Sequence, residues 1–329
     1  MIRLSMANVL AGDVGGTNTR LGIFERRGPR PTLVATRTYG TRAFETIEAM
    51  ATAFLRDVGV QPSTLSAGCF GAAGPVLDGV ATLTNTPVRV DSRAIANALG
   101  LTQVTVLNDL EALAYALPVL AGNELGVLQE GRRNPSGAVA IIAAGTGLGE
   151  AVLHSIGDRL VAKASEAGRS DFAARTERDI VVLRAVTRTY GRAAVEHVVS
   201  GPGLVNIHKA LEKRPCEAGV DMSDSDAPGA IATSARASRC PACVESVATF
   251  VEAYGAEAGN LALRSVATGG VYVGGGIAPK MMDRLTDGAF VSAFRAKPPF
   301  AMLLESIPVK VILNSEAGLL GAAHFCLLS

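Results

Sequence analysis

The stretch Ala11-Gly12-Asp13-Val14-Gly15-Gly16-Thr17-Asn18-Thr19-Arg20 carries the strongest structural signal in the chain. Short apolar runs enter and leave it, which indicates a strand, a tight glycine turn and a second strand. Gly15 and Gly16 keep side chains away from the turn, so that backbone N–H groups can approach an anion. Asp13 places a carboxylate beside that anion, where it suits the ligand shell of Mg²⁺. The stretch predicts a phosphate-binding turn, and an ordinary β-hairpin turn remains open as an equal alternative.

Two commoner phosphate-binding motifs are excluded by the residues that come after the glycines. A P-loop requires Gly-x-x-x-x-Gly-Lys-Ser/Thr at the start of a helix, and no lysine follows Gly16. A dinucleotide-binding fingerprint requires a helix after its glycines. The segment Arg26–Pro31 reads Arg-Arg-Gly-Pro-Arg-Pro, which is incompatible with a helix.

Composition limits the classes of protein that need to be considered. The 329 residues are 48% hydrophobic, which is enough for two cores of domain size. The net charge of +1 gives no sign of nucleic-acid or anionic-membrane binding. No apolar run reaches the length of a membrane span, and no secretory signal pattern opens the chain. Five cysteines in such a chain are typical of reduced thiols, so we expect a cytoplasmic location.

The spacing Cys240-Pro-Ala-Cys243 occurs in both redox and zinc sites. A structural zinc ion needs four ligands, and the nearest further candidates, His208 and Cys216, lie outside any second Cys-x-x-Cys motif. A thioredoxin-type site would follow a strand, whereas a loop rich in serine, alanine and arginine precedes Cys240. We therefore interpret Pro241 as the start of a helix and the two thiols as incidental.

Asn108 and Asp109 follow a buried-strand pattern at Val104–Leu107 and precede a helical segment that ends at Pro118. In open α/β sheets, ligands bind where a parallel strand is followed by a helix. Asn and Asp are also favoured helix N-caps, and an aspartate in that position needs no chemistry. Position alone favours the cap, and motifs elsewhere in the chain shift the balance towards a ligand site.

The second half of the chain repeats the strand-to-glycine pattern twice. A strand at Ala138–Ala144 runs into Gly145-Thr146-Gly147-Leu148-Gly149 and is followed by another strand, and Val271–Val273 runs into Gly274-Gly275-Gly276. Three such turns in two half-chains, none of them a P-loop, predict a nucleotide held between two lobes.

Three further elements are predicted in the second half. Thr176 and Asp179 have the spacing of a capping box for a helix that continues to Tyr190. Residues Glu217–Arg239 are small and polar, which indicates mobile surface. A long helix is predicted from about Val244 to Val266.

The order of these motifs resembles that of the bacterial glucokinases, the hexokinase branch of the actin-like ATPases, from about Val9 to His324. The strongest pieces are Gly-Asp-Val-Gly-Gly-Thr-Asn, Leu-Asn-Asp-Leu, Ala-Gly-Thr-Gly-Leu-Gly, Ser-Gly-Pro-Gly-Leu and Gly-Gly-Gly-Ile. The resemblance implies an α/β protein of two RNase H-like lobes with a central cleft. It implies a small lobe of residues 1–118 and 312–329, a large lobe of residues 119–311, and a homodimer.

The resemblance also implies a reaction, the transfer of a phosphoryl group from ATP to the 6-hydroxyl of glucose. Asp109 would be the general base for that hydroxyl. Mg²⁺, held by Asp13 through water, would offset the charge of the phosphates together with the turn amides. The residues implied for the sugar are Asn108, Asp109, Glu166, Arg169 and Glu196. The residues implied for ATP are Gly12, Asp13, Val14, Gly15, Gly16, Thr17, Gly145, Thr146, Gly147, Gly274 and Gly275.

The loop Glu166-Ala167-Gly168-Arg169 departs from the family pattern Glu-x-Gly-His, in which the histidine contacts the sugar. An arginine only donates hydrogen bonds, is always charged and is longer. Arg169 would either donate to the same hydroxyl or pair with Glu166 and withdraw it from the sugar. The loop Thr84-Asn85-Thr86-Pro87 also lacks the aromatic residue often found there.

Other functions stay open at this point. A kinase for a different hexose and a catalytically weak paralogue that binds sugar or nucleotide are alternatives, because of Arg169. A polymer-forming or chaperone-type ATPase of the same fold is less consistent with the pair Asn108-Asp109, which suits a polyol ligand.

Overall fold

The computed structural model describes residues 8–83, 86–157, 159–212 and 216–328. Thr84 and Asn85, in the loop that lacks the aromatic residue, lie outside the described residues. The described strands are β1 (Asn8–Val14), β2 (Asn18–Arg26), β3 (Pro31–Gly40), β4 (Leu65–Ala72), β5 (Val76–Leu77), β6 (Val80–Thr82), β7 (Arg89–Asp91), β8 (Val104–Asn108), β9 (Leu125–Gln129), β10 (Val139–Ala144), β11 (Leu148–Ile156), β12 (Arg159–Ser165), β13 (Gly270–Gly274) and β14 (Val309–Ile312).

The described α-helices are α1 (Ile47–Asp57), α2 (Ser92–Leu99), α3 (Asp109–Ala116), α4 (Glu177–Tyr190), α5 (Gly201–Leu211), α6 (Ala227–Arg236), α7 (Pro241–Ser265), α8 (Met282–Leu285), α9 (Ala289–Arg295), α10 (Ala301–Ser306) and α11 (Ala317–Leu328). Within the described ranges, none of these helices has the length and apolar character needed to cross a bilayer.

The described residues divide into two compact units. Unit 1 comprises the residues up to Gly122 together with Leu160–Ala164 and the residues from Asn314 onwards. Unit 2 comprises Asn123–Arg159 and Ser165–Leu313. The lobe limits expected from the resemblance stay a prediction.

Unit 1 is built on a five-stranded sheet with the strand order β3–β2–β1–β4–β8. Strand β1 is antiparallel to β2 and parallel to β4, which is parallel to β8. The register aligns Val14, Ala72 and Asn108, the last residues of the three parallel strands, in one row. The segments that come after these strands therefore leave the sheet at the same edge. Its core includes the fully buried side chains of Leu10 and Phe70.

In unit 2 the strands β11, β10, β13, β14 and β9 lie side by side in this order, and the first four repeat the pairings of β2, β1, β4 and β8. Strand β10 is antiparallel to β11 and parallel to β13, and β13 is parallel to β14. The core of this unit is larger and includes Phe250, Tyr254 and Phe290. In both sheets an antiparallel hairpin is followed by parallel strands. This repeat confirms the predicted α/β fold of the RNase H-like type.

The segment Glu217–Arg239 was predicted to be mobile surface. This prediction is wrong for Ala227–Arg236, which form helix α6. Pro228 stands in the first turn of this helix, where its missing N–H costs nothing. Ile231 and Ala235 are buried within unit 2. Short side chains made the segment resemble a loop, although they also allow α6 to pack closely. The interpretation of Pro241 as the start of a helix is confirmed, because α7 begins there.

Two buried carboxyl groups of unit 2 share one arginine. Glu150 on β11 and Glu257 on α7 are 1% and 6% exposed, and the guanidinium group of Arg264 lies within hydrogen-bond distance of both carboxyl groups. Burial and the charge of Glu257 raise the pKa of Glu150 to about 8, against the opposing effect of Arg264. Glu150 therefore carries a proton in the folded protein at pH values where an exposed glutamate is ionised.

The substitution Glu150→Gln is expected to flatten the pH dependence of stability. Because the pKa of Glu150 is raised in the folded state, its contribution is fully present below about pH 4.5 and is lost as the pH rises through about 8. Urea unfolding of the wild-type chain should show a free energy of unfolding that falls across this interval by one to a few kcal/mol, at about 1.4 kcal/mol per pKa unit. Equal slopes for wild type and variant would contradict the assignment.

Candidate functional site

The turn between β1 and β2 is held open by backbone and side-chain hydrogen bonds. The N–H of Gly15 donates to the carbonyl oxygen of Asn18 at 3.0 Å. Thr41 donates through Oγ1 to the carbonyl of Gly15 at 2.7 Å and through its N–H to that of Thr17 at 2.9 Å. Gly16 and Thr17 are exposed residues, and their N–H groups have no hydrogen-bond partner among the described residues. This turn therefore presents two free donors, as an anion site requires.

Asp13, the residue before the end of β1, is partly buried beside this turn. Its carboxylate makes no hydrogen bond or ion pair with the residues that the structure describes. A Cβ atom built on Gly318, at the start of α11, would lie 3.5 Å from its Cγ. Burial raises the pKa of Asp13, and the nearby charge of Arg20 lowers it. A carboxylate in this setting fits Mg²⁺ held through water, since Mg²⁺ usually keeps several water ligands.

Asn108 and Asp109 share the start of α3. The Oδ1 atom of Asn108 accepts from the N–H of Leu110 at 2.8 Å, and its Nδ2 donates to the carbonyl of Gly74 at 3.0 Å. Asn108 is thus the N-cap of α3, and Asp109 is its first residue. The helix cap is therefore supplied by Asn108 and not by Asp109. The Oδ1 atom of Asp109 also accepts from the N–H of Leu110, at 2.9 Å.

Asp109 lies close to the strand that carries the phosphate-binding turn. A Cβ atom built on Gly71 of β4 would lie 3.6 Å from the Cα of Asp109 and 3.9 Å from the carbonyl oxygen of Gly12. Within unit 1 the structure thus brings together the predicted residues at one sheet edge. These are Gly12, Asp13, Val14, Gly15, Gly16, Thr17, Asn108 and Asp109.

In unit 2 a second glycine turn joins β10 to β11. The N–H of Gly145 donates to the carbonyl oxygen of Gly147, and the N–H of Gly201 donates to that of Gly145, both at 2.8 Å. Gly201 is the first residue of α5, so the turn lies against a helix N-terminus, where partial positive charge favours anions. The N–H of Thr146 is without a partner in the described part of the chain. The second turn thus has the same donor character as the first.

The ends of β10 and β13 are tied together by Tyr254, which no pattern in the sequence distinguishes from an ordinary core residue. Its buried hydroxyl accepts from the N–H of Ala144 at 3.1 Å and lies 3.4 Å from the carbonyl oxygen of Gly274. Gly275 follows with a φ of +82° and packs against Ala144. Tyr254 therefore positions the predicted residues Gly145, Thr146 and Gly147 next to Gly274 and Gly275.

Glu196 and Arg169 form an ion pair beside the same turn. The Oε2 atom of Glu196 accepts from the N–H of Leu148 at 3.1 Å, and Oε1 lies 2.8 Å from a guanidinium nitrogen of Arg169. Pairing of Arg169 with Glu166 was one expected arrangement, and the partner is Glu196 instead. Glu166 is exposed, and its carboxylate bonds to none of the described residues. The structure thus ties Arg169 and Glu196 to the turn and leaves Glu166 on the adjoining loop.

Comparison with known proteins identifies closely similar chains. The sequence model of the family described as glucokinase matches residues 10–328. A glucokinase of Synechocystis sp. is 35% identical over 343 residues, which cover 96% of this chain and 97% of that protein. The crystal structure of a glucokinase from an Antarctic psychrotroph superimposes with a TM-score of 0.85 at 27% identity, covering 98% of this chain and 99% of that one. A ROK family glucokinase from Streptomyces griseus, solved with glucose and AMPPNP, shares the fold with a TM-score of 0.64 at 23% identity, covering 98% and 100%.

Proposed function

This chain belongs to the glucokinase family, and we propose that it transfers the γ-phosphoryl group of ATP to the 6-hydroxyl of glucose with Asp109 as the general base. Family membership rests on a match that spans nearly the whole chain and on relatives of 32–35% identity. It makes the chain a hexose kinase that uses ATP and a small sugar. A weak paralogue and a kinase for another hexose are not favoured.

The observation that carries the role of Asp109 is the row formed by Val14, Ala72 and Asn108. It sets the start of the first glycine turn and the start of α3 at one edge of the same sheet. A carboxylate there can accept the proton of a sugar hydroxyl as its oxygen attacks the γ-phosphorus. Asn108 binds another hydroxyl of the same sugar in this proposal.

The two glycine turns act on the phosphates. In this proposal their free N–H groups, and the N-terminus of α5 beside the second turn, would offset the negative charge that phosphoryl transfer spreads over the γ-phosphate oxygens. Asp13 would hold Mg²⁺ through water, and the ion would supply positive charge that offsets the charge of the phosphates. Glu196 and Glu166 are assigned to sugar hydroxyls, with Arg169 as a third contact. A homodimer and a cytoplasmic location stay predictions from the resemblance and from the five free thiols.

A coupled kinase assay with ATP tests the proposed substrate. Glucose, mannose, fructose, N-acetylglucosamine and N-acetylmannosamine would be compared under identical conditions, and glucose is expected to give the highest kcat/KM. Another hexose preferred over glucose by about tenfold, a difference of 1.4 kcal/mol in transition-state binding, would overturn the assignment of glucose.

The substitution Arg169→His is expected to keep or lower the KM for glucose, because it releases Oε1 of Glu196 from the ion pair. Arg236→His is a matched control, since the side chains of Arg169 and Arg236 are 56% and 55% exposed and each pairs with one acid. Steady-state kinetics with varied glucose measure both variants. A large rise in KM for Arg169→His alone would mean that the sugar contact of Arg169 requires its guanidinium group and that a histidine cannot replace it.

A further inference from the structure

Three cysteines and a histidine that are distant in sequence converge in unit 2. The Sγ atom of Cys216 lies 3.9 Å from that of Cys240 and 3.8 Å from that of Cys243. A ring nitrogen of His208 and the Sγ atoms of Cys216 and Cys243 all lie within 4.8 Å of one another. His208, Cys240 and Cys243 are buried, and Cys216 is partly buried. The interpretation of the Cys240–Cys243 pair as incidental did not foresee this cluster.

The distances between the sulfur atoms match a shared metal ion. A disulfide holds its sulfur atoms about 2.05 Å apart, much closer than either measured separation. In a tetrahedral zinc site each Zn–S bond is about 2.3 Å, which places two sulfur ligands about 3.8 Å apart. Thiol groups at 3.8 and 3.9 Å from Cys216 therefore stand at the spacing that one zinc ion requires.

The hydrogen bonds around His208 leave one ring nitrogen available as a ligand. Ser246 has a single hydroxyl hydrogen, which it donates to the carbonyl oxygen of Ala242 at 2.6 Å. The Nδ1 atom of His208, 3.0 Å from the same hydroxyl, must then donate its own hydrogen to Ser246. This tautomer leaves Nε2 with a bare lone pair. Metal-ligating histidines commonly donate their other N–H to a neighbouring oxygen in this way.

The buried Nε2 atom has no hydrogen-bond partner among the described residues. The carboxylate of Glu212 lies 3.6 Å from it, and the Oε1 atom of that carboxylate is likewise buried and unpartnered in the described chain. Two acceptors facing each other are unfavourable unless a cation or a proton lies near them. The cluster therefore has a buried polar atom that a metal ion would satisfy.

We propose that His208, Cys216, Cys240 and Cys243 bind a zinc ion. Four protein ligands would close the coordination shell, which is typical of a structural site and not of a catalytic one. His208 lies on α5 and Cys243 lies in the first turn of α7. The ion would therefore link Cys216 to both helices. Because α5 begins at the second glycine turn, the site would stabilise the unit that carries this turn. The proposal does not depend on the identity of the sugar or on the role of Asp109.

Metal analysis of the full-length chain, purified without a histidine tag and under reducing conditions, tests the proposal. Mass spectrometry of metals is expected to find about one zinc ion per chain. Cys243→Ser and Cys216→Ser should lose most of it. Cys326→Ser is the matched control, because Cys326 is a partly exposed thiol like Cys216 and lies in unit 1. This control should keep its zinc.

Two measurements on the wild-type chain remain informative if a variant fails to fold. Removal of zinc with a strong chelator should lower the Tm, and addition of zinc should restore it. Replacement by Co²⁺ should give the thiolate-to-cobalt charge-transfer band of a tetrahedral site. Three results would each overturn the proposal. The first is that the reduced chain takes up no zinc, and the second is that Cys326→Ser loses as much zinc as Cys216→Ser and Cys243→Ser. The third is a disulfide between Cys216 and either Cys240 or Cys243 in a metal-free chain.

Discussion

Replacing Asp109 with asparagine is expected to lower kcat for glucose by about 10²–10⁴-fold, the contribution typical of a positioned general base. Asparagine has nearly the same shape and keeps an oxygen for the N–H of Leu110, which Asp109 Oδ1 contacts at 2.9 Å. Asn108 continues to cap α3, so the helix should begin at the same residue. The variant therefore removes the basic carboxylate with little structural change. Steady-state kinetics with coupled detection of ADP measure the effect.

The control for this substitution is Glu111→Gln on the same helix. Oε1 of Glu111 accepts from the N–H of Ala164 at 3.2 Å, a bond that a glutamine oxygen can keep. This variant should retain the wild-type kcat, and Asp109→Asn should retain the wild-type affinity for ADP. Turnover of Asp109→Asn within about tenfold of wild type would mean that another group accepts the proton.

The elements that sequence predicted best are those set by local residues. The hairpin of β1 and β2 depends on two apolar runs around Gly15 and Gly16, all within one short stretch. The capping box of α4 is likewise present, with Thr176 and Asp179 bonding to each other's backbone N–H groups. Both features are decided by neighbours in sequence, so the pattern alone was sufficient.

The features that sequence missed depend on contacts between distant residues. The pairing of Arg169 with Glu196 joins two loops, and no local pattern distinguishes Glu196 from Glu166 as the partner. The cluster of His208, Cys216 and Cys243 requires α5 and α7 to pack side by side before the thiols meet. Spacing along the chain carries no signal for the ion pair, and for the cluster it indicates only the pair Cys240 and Cys243, not the approach of His208 and Cys216 to it. The glycine turns indicated a nucleotide site by themselves, whereas the role of Asp109 came from the resemblance, and both assignments stay predictions.

Replacing Gly275 with alanine is expected to destabilise unit 2 by about 2–6 kcal/mol, the sum of backbone strain and overpacking. The φ of +82° at this position is one that residues with a side chain rarely adopt. The added Cβ would lie 2.9 Å from the carbonyl carbon of Ala144 and 3.0 Å from its nitrogen, and closer still to its oxygen. Because these are backbone atoms, the end of β10 would have to move. Urea unfolding measures the loss of stability.

The same displacement should raise the KM for ATP, because Ala144 directly precedes the turn at Gly145–Gly147. Gly276→Ala is the matched control, since a Cβ there meets no heavy atom within 4 Å and its φ is not positive. This control should change neither stability nor KM by a measurable amount. If Gly275→Ala proved as stable as Gly276→Ala, the close contact with Ala144 would not exist in solution. If it lost stability but kept the KM for ATP, the turn after β10 would not be part of the nucleotide site.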